Sequence, residues 1–447
     1  MRKNRTPKGL AALILAAVLG MTALSGCGAA ADGAAPDETG AAQAGTEAAE
    51  TPEAETPALT EADAVYLGVE NYGAPETNRE NMDHFEYRFL VDGEETVLAV
   101  DNGAQNEESG FDYPIQNLLK EGYSYRIVIA DGTVVSAEET GPEPEPYAPA
   151  VSGAPGEPTL ANFLRTAMMP VGTALYIYGG GWDWQDEGSS IQTRTIGVSP
   201  DWVRFFGEHD ASFTFKGVDN DEENVDPTTS YYPYGEYNEY YYAGLDCSGY
   251  VGWALYNTFE TADGGEGFVG GSTGFARRLS ERGWGTWTQE DVPAPGKTDA
   301  EETEAAGETA GAAADGASVM LPGDIMSING HVWISLGTCA DGSVVIAHST
   351  PSLSRTGQPG GGVQIGAIGP DAGCEAHQLA DRYMSEYFPE WYERYDVPVC
   401  SPDVYFSFEG ENAGRFTWDV SGANGGLTDP EGMQRMTPEE VLETLFV

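Results

Sequence analysis

Positive charge is what this chain has least of: 21 Lys and Arg stand against 72 Asp and Glu in 447 residues. Four of those cations fall in the first 26 residues, which hold no acid, so the chain from Cys27 onward carries 17 cations against 72 acids, a balance of −55. Duplex binding depends on neutralising phosphates with Lys and Arg, so a nucleic-acid groove is excluded. Cysteine is scarce too. Of five cysteines only Cys27 lies in the first half, and the five histidines are His84, His209, His331, His348 and His377. Aromatic residues are not scarce: at 11%, with 23 Tyr, they exclude a wholly solvated acidic polymer and call for packed cores.

The N-terminus reads as a secretory address. Arg2, Lys3, Arg5 and Lys8 precede an uncharged apolar run from Leu10 to Leu24, too short for a confident membrane span. It ends Leu24-Ser25-Gly26-Cys27, which resembles the lipobox of bacterial lipoproteins; that resemblance implies a signal peptide over 1–26, lipid attachment at Cys27 and a place on the outer face of a cytoplasmic membrane or in the cell wall. Residues 27–63 are mostly Ala, Gly, Glu, Thr and Pro without a cation, a composition expected to form an extended acidic tether.

A small all-β domain is expected over 64–140. Phe85, Tyr87 and Phe89 alternate with polar residues into Asp92-Gly93, after which Val97 and Ala99 resume; Tyr123, Tyr125, Ile127 and Ile129 repeat the pattern before Asp131-Gly132. A wall-binding or spacer role for it rests on position alone, and a structural role is equally open. Residues 141–157 open with Gly141-Pro142-Glu143-Pro144-Glu145-Pro146, a stiff linker.

The chemistry lies beyond the linker. Leu160, Phe163, Leu164, Ala167 and Met168 share a helical face, with Thr159 as cap and Pro170 as stop. Val251, Leu255 and Phe259 follow Cys247 at helical spacing, which sets Cys247 at a helix N-terminus, where the unsatisfied amides favour thiolate. A thiolate nucleophile needs a base. His331 and His348 lie on two consecutive strands, and a hairpin turning over Thr338 to Asp341 places them opposite each other, with His331 as base and acid and His348 orienting it. Strand alternation puts Trp333 on the same face, where it narrows the cleft. A metal held by the histidines and Cys247 is the alternative, against which stands the absence of closely spaced His or Cys pairs. Cys374 and Cys400 could pair outside the cell; Tyr231, Tyr240 and their neighbours read as packing of an insertion. Tyr383, Tyr387, Trp391 and Tyr395 recur as a core face, Val404 to Phe408 reads as strand, and Thr437-Pro438-Glu439-Glu440 opens a terminal helix.

Tyr176 to Gly180, Asp246-Cys247-Ser248-Gly249, Pro322-Gly323-Asp324 with Gly330-His331-Val332, and Ala347-His348-Ser349 together resemble the NlpC family of bacterial cell-wall cysteine peptidases, over residues 158 to 370. The resemblance implies an α+β, papain-like domain over 158–410, with a cysteine helix packed on an antiparallel sheet, insertions near 182–240 and 292–318, and a C-terminal extension over 411–447. It implies hydrolysis of amide bonds in peptidoglycan stem peptides, the γ-D-glutamyl bond to a diamino acid foremost, through a thioester acyl-enzyme. Cys247 is then similar to the nucleophile, His331 to the base and His348 to the third residue. Tyr176, Asp246, Ser248 and Trp333 fall at substrate-binding or supporting positions. No metal or organic cofactor is implied, and a monomer acting on peptidoglycan peptides is expected. The alternative is a catalytically inactive wall-binding lipoprotein that keeps the cleft.

Overall fold

The computed structural model describes residues 58–71, 85–100, 119–142, 147–177, 179–181, 195–208, 241–259, 268, 270–289, 320–353, 355 and 359–446. The signal peptide, Cys27, nearly all of the tether, His84, His209, Tyr231, Tyr240 and the acidic run near 292–318 lie outside the described residues. Among the described residues no helix is long and apolar enough to cross a membrane.

The chain is α+β; its described residues form two sheets and eight helices. Strands β1 (Leu59–Asn71), β2 (Phe85–Val91), β3 (Glu94–Val100), β4 (Ser124–Ala130) and β5 (Thr133–Gly141) close into a barrel in the order β1-β2-β3-β5-β4. Both expected two-residue turns form. Asp92 and Gly93 take φ of 51° and 84°, and Asp131 and Gly132 take 49° and 82°, the left-handed pair that a primed turn requires. The first turn also sets the phase of β3. It pairs Val91 with Glu94 and Tyr87 with Leu98, so Leu98 faces the barrel core while Val97, read from the alternation as inward, is exposed. Tyr66, Phe89, Tyr125 and Ile127 fill the interior.

The barrel is fastened to the second unit. Lys120 pairs with Asp201 at 2.8 Å and Glu139 at 3.1 Å, the Tyr123 hydroxyl donates to Asp201, and the backbone N–H of Glu121 donates to the Tyr242 hydroxyl at 3.2 Å. Asp201 belongs to helix α2 (Pro200–Glu208), whose Trp202, Phe205 and Phe206 are buried. That part of the insertion near 182–240 is therefore core, and it bridges the two units.

The second unit is built on a seven-stranded sheet in the order β11-β10-β9-β8-β7-β12-β6. These strands are β6 (Gly285–Thr288), β7 (Ile325–Ile328), β8 (His331–Thr338), β9 (Val344–Leu353), β10 (Pro359–Ile368), β11 (Val399–Cys400) and β12 (Gly414–Trp418), all antiparallel to their neighbours except β11, which runs parallel to β10. Strand β12 lies inside the sheet, between β7 and β6. The sheet thus continues past residue 410, and the residues after it are not an appendage: helix α8 (Pro438–Leu445), opened by the expected Thr437 and Glu440 capping box, buries Val441, Leu442 and Leu445.

One face of the sheet carries the helices. Helix α1 (Leu160–Met168) starts where Thr159 accepts the Asn162 N–H at 3.1 Å, a cap of about 1 kcal/mol. Helix α3 (Cys247–Phe259) buries every residue but its last and packs against α1, β8 and β9. Helices α4 (Phe275–Glu281), α5 (Glu375–Tyr387) and α6 (Pro389–Arg394) complete the layer, with Tyr383, Trp391 and Tyr395 in the core as their spacing predicts; Pro389 divides what the pattern alone would run together. The other face carries a smaller cluster of Met326, Trp333, Ile346, Cys400, Tyr405 and Phe406. Tyr405 sits on a short helix, α7 (Pro402–Tyr405), where the alternating apolar residues 404–408 predict a strand. Pro402 occupies the first helical turn, a position it suits because its missing N–H has no intrahelical partner there.

Candidate active site

Cys247 is the first residue of α3, as its sequence context predicts, and the local chain explains why. Asp246 caps the helix: its Oδ1 accepts the Gly249 N–H at 2.6 Å and the Ser248 hydroxyl at 3.0 Å, and its Oδ2 accepts the Gly179 N–H at 3.2 Å. Asp246 and Ser248 are both buried, and these bonds spend their polar atoms on the helix start. Residues 176–177 and 179–181 flank the same helix end. The Leu245 N–H donates to Leu175 O at 3.0 Å, the Asp246 N–H to Gly180 O at 3.1 Å and the Tyr176 N–H to Gly361 O at 2.9 Å. Tyr176 is thereby held beside the residues that lead into Cys247. From β9, the Ser349 hydroxyl donates to Leu245 O at 2.6 Å, tying the second histidine-bearing motif to the same point.

His331 opens β8 directly after the two-residue turn Asn329-Gly330, where Gly330 takes φ 78°. That turn carries the Gly330 carbonyl to the cysteine, and the Cys247 thiol donates to it with Sγ at 4.0 Å. The Gly330 N–H in turn donates to Thr273 Oγ1 at 3.1 Å, and the neighbouring Ser272 hydroxyl reaches the sulfur, as do the backbone N–H groups of Ser248 and Val332. Ser272 and Thr273, which no sequence feature singled out, thus form the rim. Gly330 and Thr273 are exposed, so the site meets solvent there, although Cys247 is only 5% and His331 9% exposed.

The two imidazoles meet, with His331 Nε2 3.4 Å from His348 Nδ1, although not through the expected register. Ile334 pairs with Ala347 and Ser335 with Ile346, then a bulge at Leu336 shifts the ladder, and the turn spans residues 339–343 with the Cys339 N–H donating to Ser343 O at 2.8 Å. Extending the Ile334 pairing puts Trp333 opposite His348 and His331 one diagonal step away. The two-residue slip preserves the face, which is why the rings still touch. Trp333 shares that face as alternation predicts, but it is fully buried against Tyr405 and Phe406 and lines no opening.

Burial overrides the helix-end argument for a thiolate. Desolvation, with the adjacent Asp246 carboxylate second, pushes the Cys247 thiol up to about 12, and the three hydrogen bonds to the sulfur offset only part of this. Desolvation lowers His331 to about 4 and His348 well below its ordinary value, His331 adding to the latter. The pair therefore rests as thiol and neutral imidazole. The contacts of the thiol are Gly330 O, Ser272 and the backbone N–H groups of Ser248 and Val332, while His331 Nε2 faces His348; a base role at Nδ1 would require the His331 proton on Nε2.

A pH dependence of stability follows. Between about 4 and the ordinary 6.5 the unfolded chain binds more protons than the folded one, so stability falls as pH falls through that window. Going from pH 7 to pH 5 is expected to cost about 2 kcal/mol through His331 alone, with His348 acting in the same direction. Urea unfolding of the parent and of His331→Gln at both pH values checks this. Equal losses in the two proteins would mean that the folded imidazole is freely solvated.

The four described cysteines are free. Cys400 hydrogen-bonds with Tyr405, and Cys374 neighbours Cys339, so the structure does not form the Cys374 to Cys400 bridge considered from sequence. Cys339, Asp341 and Glu375 bring potential metal-ligand atoms within 4.8 Å of one another, but both carboxylates already accept backbone N–H groups: Asp341 from Ser343 and Glu375, Glu375 from Asp341. The chain matches no protein-family model, no curated protein and no solved structure.

Proposed function

We propose that this chain is a cell-wall cysteine peptidase with a papain-like catalytic unit of the NlpC type, anchored by lipid at Cys27 on the outer face of a membrane. One observation carries the reading: two buried imidazoles 3.4 Å apart adjoin, through the Gly330 carbonyl, a cysteine at a helix start. A buried neutral His pair costs desolvation that packing alone would not select, whereas a base with a fixed tautomer needs it.

In the reaction His331 Nδ1 takes the thiol proton as sulfur forms a bond to the carbonyl carbon of a peptidoglycan stem peptide. The oxyanion sits against the backbone N–H of Cys247 at the open end of α3, with Tyr176 as the second donor. Collapse breaks the C–N bond, His331 returns the proton to the leaving amine, and water then hydrolyses the thioester with the same imidazole as base. The substrate class is the γ-D-glutamyl amide to a diamino acid. No step calls for a metal or organic cofactor.

Digestion of purified walls, read by mass spectrometry of the released peptides, tests this. The parent is expected to release cleaved stem peptides and Cys247→Ala to lose that release by about 10⁴-fold or more. Wall binding by the parent without release would replace the peptidase with an inactive wall-binding protein, a reading that the near-closed thiol favours.

A further inference from the structure

Tyr405 stands outside every motif that carries the family resemblance, yet it lies against both histidines. Its ring centroid lies 5.4 Å from that of His331 at 73° and 6.0 Å from that of His348 at 62°, edge-on to both. Its hydroxyl donates to Cys400 on β11 and is contacted by Thr350 on β9, while its other side packs on Trp333 at 6.3 Å. Helix α7 thus brings a tethered aromatic plate over the face of the histidine pair, on the smaller-cluster side of the sheet.

We propose, resting on the peptidase reading, that Tyr405 is a positioning residue: its ring shuts water from the His331 and His348 pair and fixes the plane of the His331 ring. Edge-to-face geometry fixes a ring plane, and imidazole without such a wall would rotate about its χ2 and hydrate. Among the described residues, the titratable groups facing the pair are Cys247 with Asp246 behind it from α3, Cys400 from β11 and Tyr405 itself from α7. None is a charged partner in direct contact with either ring. The pair's neutrality therefore depends on exclusion of water, and Tyr405 is the side chain that excludes it on this side.

Full-length protein labelled at its five histidines, followed by NMR across pH, reads the imidazole midpoints without any turnover. Tyr405→Leu keeps apolar bulk but removes the ring and its hydroxyl, and is expected to raise the His331 midpoint by one pH unit or more. In the same variant the acid limb of kcat should move up by the same amount, with KM unchanged. Tyr405→Phe keeps the ring but loses the hydroxyl's bond to Cys400, and should give a smaller rise than Tyr405→Leu. Cys400→Ala, a small buried change, frees the hydroxyl and should give an intermediate rise; it decides the matter if Tyr405→Leu does not fold. Midpoints unmoved in Tyr405→Leu, or in Cys400→Ala when the former is unfolded, overturn the proposal. A midpoint shift in a protein that cleaves no wall peptide leaves Tyr405's effect standing and sinks the peptidase reading instead.

Discussion

His331→Ala is expected to lower kcat at pH 7 by about 10³- to 10⁴-fold, with KM little changed. The size follows from the sulfur's surroundings. With the Cys247 thiol held up to about 12, roughly one sulfur in 10⁵ is ionised at pH 7, so the proposed reaction cannot rely on preformed thiolate and needs a base at the moment of attack. The parent should be flat with pH above the His331 midpoint of about 4, whereas the variant should gain about tenfold per pH unit as thiolate becomes available without help. Steady-state rates on a defined muropeptide between pH 5 and 10 separate the two shapes. A variant that keeps the parent's flat profile would assign the base elsewhere. Some stability is lost as well, because His348 Nδ1 is left buried without its partner, about 1 to 3 kcal/mol by thermal unfolding.

Gly249→Ala is expected to be the most damaging of single small substitutions near the site. A Cβ at 249 would lie 2.1 Å from Gly180 O and 3.2 Å from both Gly180 C and Gly181 Cα, so the obstacle is backbone on every side and no side chain can swing away. Either the Tyr176 to Gly181 segment leaves the start of α3 or the helix shifts, at a cost of about 3 kcal/mol or more. The Asp246 N–H bond to Gly180 O and the Gly179 bond to Asp246 Oδ2 would go with it, and Cys247 lies between those anchors. Gly207→Ala in α2 is the control. Nothing lies within 4 Å of a Cβ there, and an exposed helical alanine should be neutral or gain about 0.5 kcal/mol. The urea midpoint of Gly249→Ala should therefore fall while that of Gly207→Ala holds or rises. If Gly249→Ala unfolds at the parent's midpoint with full activity, the close approach of the two segments is not a feature of the folded protein.

What could be read from sequence was local in origin. Leu160 to Met168 and Val251 to Phe259 declare helices because their apolar residues recur at helical spacing, and the Asp-Gly turns declare hairpins because few other pairs accept two left-handed residues. Cys247 and the two histidines could be singled out for the same reason: short motifs place each at the start or along one face of its own element. The misses came from distance or from competing local signals. The bulge at Leu336 and the turn over residues 339–343 moved the register by two, a change to which side-chain alternation is blind. Residues 404–408 alternate like a strand, but Pro402 and the need to cover Trp333 curl the first two of them into α7, and with that Tyr405 reached the site unannounced. The electrostatic reading failed at Cys247 because burial raises the cost of a thiolate by more than the helix-end field lowers it.

Strand β12 is hydrogen-bonded on both sides, to β7 and to β6, yet it is contributed by residues 414–418, some eighty positions after the last residue of β8. Because a ribosome makes residues 414–418 after every other strand, a chain halted before them leaves β6 detached and β7 a bare edge, beside the very strand that bears His331. Closure of this edge, next to the strand that carries His331, thus waits on the last strand to leave the ribosome.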